Sequence, residues 1–179
     1  MAGHVGVEPP ATVRVARTVL SRVESPSSLA CWSGCFREPA DAAEAGLSLV
    51  VQPAAAPDEA TLRLAHDVVN GFHGFVDQAL EYCRTRLREP RFGLTAEELV
   101  WLDHPELSLG VPEAIVWADR TWAIRFAENR LRLADPYGVL VTFDGTGPVE
   151  VEGLDDEDDD DLDLDLDLDL DDGDPADRE

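Results

Sequence analysis

The most regular pattern in the chain is helical. Leu62, Ala65, Val69, Phe72, Val76, Ala79, Cys83 and Leu87 recur at spacings of three and four, which is one apolar stripe of an α-helix. Asp58, directly after Pro57, is the expected N-cap, with Glu59 placed to favour the helix dipole. Arg84, Arg86 and Arg88 precede Pro90 and suit a C-terminal turn. Gly71 and Gly74 interrupt the stripe, each costing up to about 1 kcal/mol relative to Ala. One kinked helix and two abutting helices both fit.

Elsewhere the period is two. Gly46 to Gln52 predicts a strand with Leu47, Leu49 and Val51 on one face, stopped by Pro53 to Pro57. Leu29 to Phe36, containing Trp32 and Gly34, suits a strand or an irregular edge. Around Val13, Val15, Val19 and Leu20 a short strand and a helical turn are equally compatible. Thr95-Ala-Glu-Glu98 is a capping-box pattern opening a short helix. After Pro112 come short β-type runs: Ala114 to Ala118, Thr121 to Glu128, Leu131 to Ala134, Val139 to Phe143 and Val149 to Val151. Turn residues such as Asp135-Pro-Tyr-Gly138 separate them. Connections this short favour an antiparallel meander. The expected fold is α+β: an antiparallel sheet packed on one face by a long kinked helix or helix pair.

Charge divides the chain into a body and a tail. From Glu150 onward eighteen Asp or Glu residues face a single Arg. The run holds Asp158, Asp159, Asp160 and Asp161, then a Leu/Asp alternation from Leu162 to Asp171. The whole chain carries −24, whereas the body before Glu150, with twenty acidic and thirteen basic residues, is near −7. The expected organisation is an uncertain segment 1–28, an α+β domain 29–152 and an acidic low-complexity tail 153–179. Dense like charge predicts disorder for the tail. Its carboxylates depart from the EF-hand pattern, because Gly173 falls one place late and no Glu takes the twelfth position.

This charge disfavours direct nucleic-acid binding and attachment to an anionic membrane face. No apolar stretch approaches the ~20 residues needed to span a bilayer, and the N-terminus lacks the apolar core of a signal peptide, so a cytoplasmic protein is expected. Every basic residue is Arg; the absence of Lys alongside abundant Ala, Asp, Gly and Val points to a high-GC bacterial source.

Candidate chemistry is sparse. Cys31, Cys35 and Cys83 are odd in number and lack zinc or redox-pair spacing, so reduced, packed thiols are expected. His66 and His73 lie two helical turns apart, about 10 Å by rise, too far to share a metal unaided. His104 follows Asp103 in a loop with no nucleophile context, and Gly71-Phe-His-Gly74 is no phosphate loop. No catalytic residue, metal or cofactor is assigned. Trp32, Trp101, Trp117 and Trp122 read mainly as core, with Trp101 the candidate for exposure beside the 103–112 loop. Arg120, Arg125, Arg130 and Arg132 make the hairpin region locally basic, a patch the tail could screen.

The segments Trp32-Ser-Gly34, Leu47 to Val51, the helix from Asp58, Pro112 to Val116, Trp122 to Phe126 and Gly138 to Val141 resemble, in their order, bacterial immunity-protein-like domains of polymorphic toxin systems. The resemblance spans residues 30 to 152, implies an interaction role and transfers no functional residues. The expectation is thus a non-enzymatic interaction domain that binds a basic protein partner. Its candidate contacts are Trp101, Asp103, His104, Glu106, Asp158, Asp159, Asp160 and Asp161. Two alternatives are a small enzyme or ligand-binding domain with a helix–sheet pocket, using His66, His73 or His104, and a nucleic-acid mimic acting through the tail. Oligomeric state is not readable from the sequence.

Overall fold

The structure, a computed structural model, describes residues 8–37, 44–104, 107, 109–127 and 130–155. Eight strands form one sheet in chain order. β1 (Thr12–Val15), β2 (Thr18–Val23), β3 (Ala30–Arg37) and β4 (Glu44–Val51) precede the helices, and β5 (Pro112–Trp117), β6 (Trp122–Phe126), β7 (Pro136–Asp144) and β8 (Gly147–Asp155) follow them. Between the two groups lie α1 (Glu59–Asn70), α2 (Phe72–Arg86) and α3 (Ala96–Leu102).

Every neighbouring pair is antiparallel except β4–β5, which is parallel. This departs from a pure meander for a topological reason. A hairpin can return only an antiparallel strand, whereas the helical excursion between β4 and β5 is long enough to bring the chain back in the same direction. The N-terminal run around Val13 and Leu20 is the hairpin β1–β2. The expected strand Leu131 to Ala134 is instead a 3-10 turn, Arg132–Ala134, and Asp135 to Gly138 leads into β7 rather than ending in a turn.

The helical stripe divides at Gly71, which closes α1 and opens α2. Asp58 caps α1, accepting from the Thr61 backbone N–H at 2.7 Å and from its hydroxyl at 2.8 Å. Ala65, Val68 and Val69 from α1, with Phe72, Ala79 and Cys83 from α2 and Leu87 just after it, enter one core cluster with alternate strand residues. The strand side of that core runs in rows set by register. Leu47, Ala114, Ile124, Val141 and Val151 pair in succession, as do Leu49, Val116, Trp122 and Phe143. Burying each large side chain contributes about 1.5–3 kcal/mol. Phe75 of α2 meets Trp122 edge-on at 4.9 Å, and Trp122 stacks on Phe143 at 4.1 Å. Between α2 and the strands β6 and β7 the helix–sheet interface is thus closed by aromatic side chains.

The opposite face carries another chemistry. Ser33, Ser48, Ile115, Ala123 and Thr142 form one row, and Cys35, Gly46, Glu113, Arg125 and Leu140 the next. Glu113 accepts from Ser48 Oγ at 2.6 Å and from Arg125 Nη2 at 2.6 Å. None of these residues belongs to the core cluster.

Candidate functional site

α3 starts where the sequence places it. The Thr95 hydroxyl accepts from the Glu98 backbone N–H at 3.2 Å, and Glu98 Oε2 accepts from the Thr95 backbone N–H at 2.7 Å and from its hydroxyl at 2.8 Å. The other carboxylate oxygen, Oε1, accepts from the Arg132 backbone N–H at 2.9 Å. Glu98 therefore clamps the start of α3 to the connection between β6 and β7, although its side chain is buried. Burial pushes the Glu98 carboxyl up, but hydrogen bonds from the Arg132 N–H and from Thr95 outweigh it and hold the carboxyl below its ordinary value.

The clamp shapes a cleft of about 360 Å³ lined by Thr95, Glu97, Glu98, Trp101, Arg130 and Arg132. Trp101 is half-buried and packs against the edge of the core, presenting an aromatic wall. Arg132 Nη2 donates to the Gly93 carbonyl at 3.3 Å, which anchors one guanidinium at the rim. Ion pairs engage most other arginines, but among the described residues neither Arg130 nor Arg132 forms one. Both Glu98 oxygens accept from Thr95 or the Arg132 N–H, so Glu97 is the one lining carboxylate not used in building the cleft.

The candidate contact residues divide around α3. Trp101 faces this cleft. Asp103 and His104 are exposed on the flank toward α2, where Arg88 bonds the Asp103 carboxylate and Arg84 Nη2 donates to the His104 carbonyl at 3.4 Å. Asp103 is therefore partly neutralised. Glu106 and Asp158 to Asp161 lie outside the described residues. The four-arginine hairpin patch also comes apart: Arg120 sits in the β5–β6 turn, Arg125 pairs with Glu113 on the far face, and only Arg130 and Arg132 share a site.

The histidines do not converge on that cleft. His66 meets the Asn70 amide at 3.1 Å and lines a separate depression of about 560 Å³ with Arg17 and Arg37. His73 lies 3.7 Å from Asp77 on the exposed face of α2. Cys83 is buried, and burial pushes its thiol up to about 12, so it stays protonated and inert at neutral pH. Among the described residues no three His, Cys, Asp or Glu side chains are grouped to hold a metal ion, and no helix is long and apolar enough to cross a membrane. No protein-family model matches the chain, and neither a curated protein nor a solved structure matches it.

Sequence reasoning found the capping box and, separately, the two arginines. It missed their union across 34 positions, because no local spacing signals that the second oxygen of Glu98 is reserved for the Arg132 N–H.

Proposed function

We propose that the chain is a non-catalytic cytoplasmic interaction protein of the immunity-like type, which uses acidic surface to engage a basic protein partner. One observation carries the reading: eighteen carboxylates against one Arg from Glu150 onward, on a chain of net charge −24. A field of that sign accelerates encounter with a basic surface and selects against acidic ones. The aromatic packing between α2 and the sheet and the inert Cys83 thiol favour binding over turnover in that part of the body. Trp101 supplies the amphipathic aromatic surface on which interfaces commonly anchor. Asp103, His104 and Glu106 complete the proposed contact set on the body, with Asp158 to Asp161 on the tail.

The test has two stages. A partner captured from the source cells is purified, and its association rate with the full chain is measured as ionic strength rises. A basic partner is expected, with a rate falling at least about tenfold between low and high salt. A partner of acidic or neutral surface, or a salt-independent rate, refutes the reading.

A further inference from the structure

Near the α3 cleft the described chain ends. β8 finishes at Asp155, which pairs with Pro136 at the start of β7, just after the 3-10 turn that carries Arg132. The two segments touch: a Cβ on Gly153 would come within 2.0 Å of the Leu133 carbonyl oxygen, so only glycine permits this approach. The chain thus leaves the sheet beside the turn that supplies Arg132 to the cleft. From Asp155, seven extended residues at ~3.3 Å each reach roughly 23 Å, which sets how far Leu162 can lie from the turn that carries Arg132.

The sequence that follows matches part of the cleft lining. The cleft offers two guanidiniums that form no ion pair among the described residues, beside the wall of Trp101. The segment after Asp155 offers Asp158 to Asp161 and then leucines alternating with aspartates. Carboxylates match guanidiniums in charge and fork geometry, and leucine matches an aromatic face. Glu97 and the ionised Glu98 oppose the match, but Glu98 directs its oxygens at Thr95 and the Arg132 backbone N–H, so among the described residues neither guanidinium is held in an ion pair. Covalent tethering over so short a span gives a local concentration on the order of millimolar, so contacts weak in trans become populated in cis.

We propose that the segment Asp158 to Leu164 docks in cis on the Trp101–Arg130–Arg132 cleft, its aspartates on the guanidiniums and its leucines on the indole. This docking would mask Trp101 and part of the acidic run together, so a partner that needs either must displace it. The proposal concerns the chain alone and stands or falls independently of any partner.

The test follows the Trp101 indole N–H resonance of the purified full chain by NMR, identified by its loss in Trp101→Phe. Replacing Asp158, Asp159, Asp160 and Asp161 by Asn is expected to shift that resonance. Raising NaCl to about 500 mM should move the unmodified chain toward the same position, because screening shortens the reach of these pairs. In an Arg130→Ser, Arg132→Ser background the Asn replacements should have no further effect, the signature of two coupled sites. The remaining resonances report that each variant is folded. An indole unmoved by the Asn replacements overturns the proposal, and so does an equal shift in the Ser background. A shift that depends on protein concentration places the segment on a second copy and overturns docking in cis.

Discussion

The two faces of the sheet come from the same strands one residue out of step, yet they differ in kind. Toward the helices, Leu47, Leu49, Trp122, Ile124 and Val141 are all 1% exposed or less. Away from them, Ser33, Ser48, Glu113 and Arg125 hold one another by hydrogen bonds and an ion pair, with no helix packed over them among the described residues. Strand alternation supplies both patterns, and the helices decide which becomes the core. The covered face draws its stability from volume and shape. The open face is organised by polar pairs, each of small net worth.

The largest contrast is expected at Trp122, which stacks on Phe143 beneath Phe75. Trp122→Ala should cost about 3–5 kcal/mol in denaturant unfolding through the cavity it leaves; a cost below 1 kcal/mol would show that this face is loosely packed. On the open face, Glu113→Gln weakens the pair with Arg125 and should cost about 1–2 kcal/mol. A cost equal to that of Trp122→Ala would erase the distinction between the faces.

Glu98 is the buried carboxylate on the helix side among the described residues. Glu98→Gln should cost about 1 kcal/mol at pH 7, with a pH dependence that identifies its cause. Its folded carboxyl lies below its ordinary value, so its contribution is complete above the unfolded value of about 4.3 and is lost as pH falls through the lowered folded value. The gap between the parent and Glu98→Gln should therefore narrow in acid. A gap independent of pH would assign the loss to packing. The smallest effect is expected at Val23, which is 42% exposed near the rim of the open face: Val23→Ser should lie within about 0.5 kcal/mol of the parent.

Much of the fold was legible where local rules act alone. The Asp58 cap, an interruption of the stripe near Gly71 and Gly74, the box at Thr95 and the alternation of Leu47, Leu49 and Val51 each depend on neighbours a few positions away. That the stripe becomes two helices meeting at Gly71 was decided by the fold. The run Leu131 to Ala134 was not legible, because three residues that suit a strand also suit a 3-10 turn when Glu98 takes the Arg132 N–H. The site was half legible. Trp101 stood out beside an irregular loop, but the arginines that face it read as part of a hairpin patch that the structure distributes over three places.

Sequence alone determined most of the longer elements, the caps at Asp58 and Thr95 and the separation of a mildly acidic body from an intensely acidic C-terminal run, because propensity, capping and charge are properties of adjacent residues. Tertiary structure alone decided that β4 and β5 run parallel, which face of each strand is covered, and that Trp101, Arg130 and Arg132 surround one cleft. Those outcomes join residues tens of positions apart. Only the closing of a shared core makes such contacts worth their loss of chain entropy.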